Sequence, residues 1–209
     1  MIKAVLFDVD GVLLDSLEYN ANSLADVFKK AGYEPITVEQ YKKTFHFSLR
    51  KNIKHHLGIE DEAEIDRVYN IGTGKRNKDY SSLRYHDGIK EVHEKLADDY
   101  LIGLVTSRYH AGIFDKPGLK DLKEYYSVVV GYEDTSKHKP DPEPLLLACA
   151  QMNVNPAQCV YVGDALTDIQ AAKSAGMKSI LFAEKNTASA DACASKLIDL
   201  PAVIKKLRG

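Results

Sequence analysis

The amino-acid sequence predicts an α/β protein in which a doubly wound parallel sheet carries an inserted helical domain. Three observations lead to this fold class. Five short segments are apolar at consecutive positions, a pattern typical of strands that helices cover on both faces. Helical patterns lie between the later segments, and no convincing strand follows the first one for about seventy residues. The five predicted strands are residues 2–9, 101–105, 128–130, 160–162 and 179–182.

Helices are predicted between these strands, and this alternation is typical of a doubly wound sheet. Residues 85–98 place apolar side chains on one helical face and are followed directly by a predicted strand. A second helix is predicted to open at Asp141, because an aspartate can cap a first turn and the prolines that follow suit it. A third helix is predicted over residues 168–175.

The segment from residue 15 to residue 83 is predicted to form a helical domain of its own. Apolar residues recur at helical spacing from Leu17, which predicts an amphipathic helix over residues 17–31. The chain must cross twice between the two domains, so we expect hinges near residues 14–16 and 81–86. Further helices are predicted over residues 38–45, 49–57 and 63–80. The predicted domains are an α/β core of residues 1–14 and 84–209 and a helical domain of residues 15–83.

Composition narrows the classes of function. Of 209 residues, 28 are Lys or Arg and 30 are Asp or Glu, so the net charge is −2 and offers no general attraction for nucleic acid or an anionic membrane. No apolar run approaches the roughly 18–20 residues that span a bilayer. The amino-terminal apolar run meets Asp8 too early for a secretory signal. Three cysteines without metal-ligand spacing fit a reducing compartment, so we expect a cytoplasmic protein.

Two carboxylates stand at the end of the first predicted strand. Asp8 and Asp10 are two residues apart, so their side chains point to the same side of an extended chain. Ligands of open α/β sheets bind outside the carboxyl ends of the strands. Two close carboxylates repel each other unless a cation or a proton lies between them, and Mg²⁺ prefers such oxygen ligands. The alternative is that one aspartate caps a turn and the other is solvated.

Three more signals follow predicted strands or precede predicted helices. Asp164 and Asp168 follow the fourth strand and could reach the same metal, although a strand-to-helix turn with a capping aspartate would give the same pattern. Thr106 follows the second strand, where a hydroxyl and free backbone N–H groups suit a phosphate oxygen or cap a helix. Lys139 precedes a proline turn and could neutralise a phosphate, or it could be a solvated basic residue.

Taken together, these signals resemble the haloacid dehalogenase superfamily, whose members are mostly phosphatases and phosphotransferases. The resemblance covers essentially the whole chain, and the helical insert resembles the first type of cap in that superfamily. Within it, the chain is similar to the phosphoglycolate phosphatase and β-phosphoglucomutase branch. The matching segments are DVDGVLLDS at residues 8–16, Thr106, KPDPE at residues 139–143 and GDALTD at residues 163–168.

The resemblance implies a mechanism and a ligand. Asp8 is expected to attack phosphorus and form an aspartyl-phosphate, and Asp10 to act as the acid and base. Mg²⁺ is expected to be held by the Asp8 carboxylate, the Asp10 carbonyl and Asp164, with Asp168 as a direct or indirect ligand. Thr106, the Ser107 backbone and Lys139 are expected to hold the phosphoryl oxygens, Lys137 being the alternative to Lys139. The expected substrate is a small phosphorylated metabolite.

The predicted cap bears on specificity. Residues 40–59 contain no acidic side chain, and Arg50 is the best candidate there to bind a distal group of the substrate. The alternative is a basic solvated helix that is balanced by the acidic residues just after it, which are Glu60, Asp61, Glu62 and Glu64. β-Phosphoglucomutases carry a histidine where this chain has Asn20, which disfavours a mutase. We therefore expect a phosphatase, with a phosphomutase or another phosphotransferase, or a non-catalytic module that binds a phosphorylated ligand, as alternatives. We expect a monomer or a weak homodimer.

Overall fold

The structure is a computed structural model that describes residues 1–74, 80, 83–115 and 117–207. Its internal contacts divide the chain into two units. The first unit consists of Met1–Asp15 and Tyr85–Gly209, and the second consists of Ser16–Arg84. Among the described residues, no helix is both long and apolar enough to cross a bilayer.

A six-stranded sheet forms the centre of the first unit. The described residues form eight strands, six of which belong to this sheet: β1 (Ala4–Phe7), β2 (Leu14–Asp15), β3 (Arg84–Tyr85), β4 (Leu101–Val105), β5 (Tyr126–Val130), β6 (Cys159–Gly163), β7 (Lys178–Phe182) and β8 (Ala192–Ala194). The order across the sheet is β5-β4-β1-β6-β7-β8, and every neighbouring pair is parallel. The short strands β2 and β3 pair separately. The predicted parallel α/β fold is confirmed.

Helices cover this sheet and form the second unit. They are α1 (Leu17–Ala31), α2 (Val38–Lys42), α3 (Leu49–Leu57) and α4 (Glu62–Thr73) in the second unit, and α5 (Ile89–Ala97), α6 (Pro117–Lys120), α7 (Glu143–Met152), α8 (Leu166–Ser174) and α9 (Leu200–Leu207) in the first. In the first unit, Leu6 and Tyr161 of the sheet pack in one buried cluster with Leu145 of α7 and Ala172 of α8. Every residue of the central strands β1 and β6 is buried, which explains their continuous apolar sequences.

The second unit has a core of its own. Phe28 of α1, Ile53 of α3 and the pair Ile65 and Val68 of α4 are fully buried together. Burying each such side chain contributes about 1.5–3 kcal/mol relative to leaving it in water. The amphipathic pattern from Leu17 therefore corresponds to a helix that covers this core.

Several predicted boundaries are wrong. The helix predicted over residues 38–45 ends at Lys42, because Thr44 donates its hydroxyl to Tyr41 O at 3.2 Å and to Asn52 Oδ1 at 2.7 Å, and such local bonds compete with helix continuation. The helix predicted over residues 63–80 ends at Thr73, and residues 75–79 lie outside the described part. Strand β8 was not predicted because three residues are too few to show a pattern, and helix α9 was not predicted although Leu200 and Ile204 are buried at helical spacing.

A buried histidine lies between α5 and the sheet. His93 Nδ1 lies 2.7 Å from the Ile89 carbonyl oxygen, and its Nε2 lies 2.8 Å from the Tyr126 hydroxyl. The ring stacks on Phe7 with a centroid separation of 5.5 Å. Burial lowers the pKa of His93 below its ordinary value, and the hydrogen bond to Ile89 only partly opposes this shift. His93 is therefore neutral in the folded protein at neutral pH.

We expect the His93 imidazole to make the protein sensitive to mild acid. The unfolded chain binds a proton to this group near pH 6.5 while the folded chain resists it, so this contribution to stability is complete above about pH 6.5 and is lost as the pH falls. Between pH 7.5 and 5.5 the loss is at most about 1.4 kcal/mol, the limit for a group that binds no proton in the folded state. Urea unfolding at both pH values should show that His93→Gln removes this part of the pH dependence. Equal pH dependence of wild type and His93→Gln would contradict the expectation.

Candidate active site

The carboxyl ends of three neighbouring strands bring the predicted site residues to one edge of the sheet. Strand β1 lies between β4 and β6, with Phe7 in register with Leu104 and Val162. Asp8, the next residue after β1, donates its N–H to the Val162 carbonyl at 2.9 Å and so continues the ladder by one position. Thr106 follows β4 in the same way. Parallel pairing therefore places residues that are distant in sequence side by side.

Three carboxylates converge at this edge. One oxygen from each of Asp8, Asp164 and Asp168 lies within 4.8 Å of the others. Asp8 and Asp168 are buried, and Asp164 is half-buried. Asp168 is held at the start of α8, where its Oδ2 accepts a hydrogen bond of 3.0 Å from the Ala165 N–H. The four-residue spacing of Asp164 and Asp168 thus spans the turn from β6 into α8.

A lysine ammonium group contacts two of these carboxylates. Lys139 Nζ lies 2.7 Å from Asp168 Oδ1 and 3.1 Å from Asp8 Oδ2, and its side chain is only 7% exposed. It also donates to the Tyr161 hydroxyl at 2.9 Å, and Tyr161 in turn donates to the Val105 carbonyl at 2.9 Å. The ammonium group is therefore held between the carboxylates and the central strands.

The alternative cation, Lys137, is elsewhere on the surface. Its side chain is 70% exposed, and its Nζ lies 3.6 Å from Asp141. Lys139, which the sequence favoured over Lys137, is the lysine that the structure brings to the carboxylates.

The electrostatics of the cluster favour an additional positive charge. Burial is the main cause that raises the pKa of Asp8 to about 6 and the pKa of Asp164 to about 9; the negative charge of Asp168 acts in the same direction, and the positive charge of Lys139 opposes both shifts. Burial also opposes the charge of Lys139, but attraction to Asp168 and Asp8 outweighs it and holds the pKa of Lys139 well above its ordinary value. One ammonium group thus accompanies a cluster of three carboxyl groups, a set of oxygen donors that suits a hard divalent cation.

Two glycines allow the carboxylates to come this close. A Cβ at Gly11 would lie 1.9 Å from Asp164 Oδ2, and the residue has a φ of 76°, which side chains disfavour. A Cβ at Gly163 would lie 2.3 Å from the Cβ of Asp168. The glycines next to Asp10 and Asp164 in the sequence therefore provide room for the carboxylates as well as turns.

Asp10 lies beside an arginine that the sequence reasoning did not select. Arg108 donates from Nε to Asp10 Oδ2 and from Nη2 to Asp10 Oδ1, each at 2.5 Å. The Arg108 N–H donates to the Thr106 hydroxyl at 3.3 Å. Arg108 lies in the loop after β4, two residues beyond Thr106, and this position in the sequence did not by itself identify Asp10 as its partner.

The remaining predicted residues occupy different surroundings. Thr106 is buried, whereas Ser107 next to it is exposed. Arg50 belongs to the second unit, where its guanidinium donates to Glu62 Oε2 at 2.6 Å and to Asp66 Oδ1. Asn20, also in that unit, donates from Nδ2 to the Ser16 hydroxyl at 3.2 Å. The structure thus brings Asp8, Asp164, Asp168 and Lys139 together, and it places Arg50 among acidic partners within the helical unit.

Comparison with known proteins finds one family over most of the chain. The sequence profile of the haloacid dehalogenase-like hydrolases matches residues 5–182. A phosphoglycolate phosphatase of Nitrosospira multiformis is 32% identical over 184 residues, covering 84% of this chain and 80% of that protein. An N-acetylmuramic acid 6-phosphate phosphatase of Pseudomonas aeruginosa is 30% identical over 185 residues, covering 85% of this chain and 80% of that protein.

A solved structure shares the same fold. The crystal structure of β-phosphoglucomutase from Clostridium difficile superimposes with a TM-score of 0.77, covering 99% of this chain and 97% of that one. Sequence identity over this superposition is 20%, so the similarity concerns the fold alone.

Proposed function

The chain belongs to the haloacid dehalogenase-like hydrolase family, and from this membership we propose that it is a Mg²⁺-dependent phosphatase. The proposed substrate is a small phosphorylated metabolite, and the proposed intermediate is an aspartyl-phosphate on Asp8. The observation that carries the proposal is the convergence of Asp8, Asp164 and Asp168, with the Lys139 ammonium group in contact with Asp8 and Asp168. The names of the relatives, which are phosphatases of different phosphorylated compounds, support the reaction class.

The donor set fits a magnesium ion. In the proposal the carboxylates of Asp8 and Asp164 and the backbone carbonyl of Asp10 hold it, with Asp168 as a direct or indirect ligand. The raised pKa values of Asp8 and Asp164 support this assignment, since a bound cation offsets the repulsion among buried carboxylates. When bound, the ion supplies positive charge that reduces the repulsion between an anionic nucleophile and an anionic substrate.

Side chains and backbone groups of this chain carry out the remaining steps of the proposed reaction. The Asp8 carboxylate attacks phosphorus while the bond to the leaving oxygen breaks, and Asp10 gives that oxygen a proton. Water then attacks the aspartyl-phosphate, Asp10 takes a proton from the water, and inorganic phosphate leaves. Thr106, the Ser107 N–H and Lys139 hold the phosphoryl oxygens during both displacements, so that positioning and electrostatics supply most of the rate enhancement.

In this proposal the helical unit Ser16–Arg84 is the cap domain that selects the substrate. Arg50 remains the proposed contact to a distal group of the substrate. Because its guanidinium is hydrogen-bonded to Glu62 and Asp66, a substrate anion must compete with two carboxylates for it.

We further propose a cytoplasmic protein that acts as a monomer or a weak homodimer. The sulfur atoms of Cys149 and Cys159 lie 3.2 Å apart as thiols in the core, which agrees with a reducing compartment. The net charge of −2 agrees with a free small metabolite as substrate in place of a nucleic acid.

Release of inorganic phosphate under controlled metal supply tests the proposal. After treatment with a chelator, the protein should not hydrolyse p-nitrophenyl phosphate or a panel of phosphorylated sugars and acids, and added Mg²⁺ should restore turnover. Asp164→Asn should raise the Mg²⁺ concentration needed for half-maximal activity by about 10-fold or more, whereas the exposed control Asp121→Asn should not. Turnover that persists in excess chelator contradicts the metal requirement. Transfer of the phosphoryl group to a sugar, without phosphate release, would indicate the mutase alternative.

A further inference from the structure

A guanidinium group lies beside the proposed leaving-group acid. Arg108 donates one hydrogen bond to each carboxylate oxygen of Asp10 in a bidentate arrangement, and each hydrogen bond is 2.5 Å long. The two side chains are 16% and 24% exposed, so the pair is sheltered but within reach of a ligand from solvent. The planar fork of a guanidinium matches any carboxylate or phosphate group, and it would receive such a group from a substrate in the same geometry.

The backbone of Arg108 is held from two sides. Its N–H donates to the Thr106 hydroxyl at the end of β4, and its carbonyl accepts a hydrogen bond of 2.8 Å from the Tyr132 N–H in the loop that follows β5. The base of the side chain is therefore fixed relative to the strand ends that carry the site. A cation fixed in advance binds an anion with a smaller loss of conformational entropy than a mobile one.

The position of Asp10 indicates which part of a substrate meets this guanidinium. In the proposed function, on which this inference rests, Asp10 gives a proton to the leaving oxygen, so the leaving group arrives next to Asp10 and hence next to Arg108. We infer that Arg108 is a specificity residue that binds an anionic substituent of the leaving group. The substrate class is accordingly a phosphomonoester that carries a carboxylate or a second phosphate close to the ester oxygen. On binding, this anion replaces Asp10 as acceptor for part of the Arg108 guanidinium, and the Asp10 carboxyl group turns toward the ester oxygen.

A matched series of two-carbon phosphomonoesters tests this role. Phosphoglycolate is compared with ethyl phosphate for the carboxylate, and ethane-1,2-diol bisphosphate with 2-hydroxyethyl phosphate for the second phosphate. Since a charge-assisted hydrogen bond contributes roughly 1.5–3 kcal/mol, we expect kcat/KM to favour one or both anionic substrates by about 10- to 150-fold. Arg108→Gln should remove this ratio, and Arg108→Lys should restore part of it. Lys137→Gln, the loss of an exposed cation, should leave it unchanged.

The specificity role of Arg108 and the proposed phosphatase activity can fail separately in these experiments. A ratio that is unchanged in a folded Arg108→Gln protein, or a loss that is equal for charged and uncharged substrates, overturns the specificity role. Binding gives a readout that does not need turnover: in an Asp8→Asn background, calorimetry should show about 10-fold tighter binding of phosphoglycolate or of the bisphosphate than of its uncharged partner, and Arg108→Gln should abolish the difference. Equal affinities also overturn the role. If binding shows the preference but the wild type hydrolyses no compound, the phosphatase proposal fails and the assignment of Arg108 as an anion-binding residue stands.

Discussion

Asp8→Asn is expected to lower the rate of phosphate release by a factor on the order of 10⁴ or more, because an amide cannot replace the carboxylate as the nucleophile. The substitution preserves the size of the side chain and removes one negative charge from a crowded cluster. Its effect on folding should therefore be small compared with its effect on turnover. The measurement is inorganic phosphate release with saturating Mg²⁺, together with mass spectrometry of acid-quenched protein.

The quenched wild-type protein should carry a phosphoryl group on the peptide that contains Asp8, and the variant should not. Asp121→Asn, the same chemical change at an exposed position of the same unit, should retain wild-type activity. An Asp8→Asn protein that keeps more than about one hundredth of the wild-type rate would exclude Asp8 as the nucleophile.

Lys139→Met is expected to destabilise the protein by about 3–5 kcal/mol in the absence of divalent cations, since it leaves two buried carboxylates without their ammonium partner. Mg²⁺ should recover part of this loss, because a bound cation supplies the missing positive charge to the same carboxylates. The measurement is urea unfolding with chelator and with Mg²⁺. Phosphate release should also fall strongly, since Lys139 is the proposed contact to the phosphoryl oxygens.

Lys137→Met is the matched control for this change. It removes the same charge from an exposed side chain, so its effect on stability should stay within about 0.5 kcal/mol. If Lys139→Met does not fold well enough to measure, adding Asp168→Asn should restore folding by removing one uncompensated carboxylate. Identical urea midpoints for Lys139→Met and the wild type would contradict the proposed balance of charges.

The family was recognisable from the sequence because its signals are local. Apolar runs end in aspartates and glycines at short, fixed spacings. These spacings can be recognised without knowing which residues the aspartates contact in the folded protein. The profile match over residues 5–182 and the parallel sheet confirm the family and the fold that these signals predicted. The predicted helix boundaries were less accurate where a side chain such as that of Thr44 hydrogen-bonds to the backbone or to another helix. Such bonds compete with continuation of the helix, and the spacing of apolar residues does not reveal them.

The contacts of the charged groups could not be predicted from the same patterns. Asp10 and Arg108 are 98 residues apart, and Arg50 and Glu62 are brought together by the packing of two helices. A basic residue in a sequence is compatible with a solvated surface, a salt bridge or a ligand contact, and only its neighbours in space distinguish these. For this reason Arg108 was not selected, and the sequence left open whether Arg50 binds a ligand or is balanced by acidic residues such as Glu62, with which it pairs in the structure.

By itself, then, the sequence determined the alternation of strands and helices, the helical insertion and the positions of the aspartates at strand ends, because hydrophobic periodicity and turn chemistry act over a few residues. Only the tertiary structure decided that Lys139 and not Lys137 meets the carboxylates, that Arg108 holds Asp10, and that Gly11 and Gly163 make room for Asp164 and Asp168. The physical reason is that Coulomb interactions and close packing depend on distance in space, which parallel strand pairing sets independently of distance along the chain.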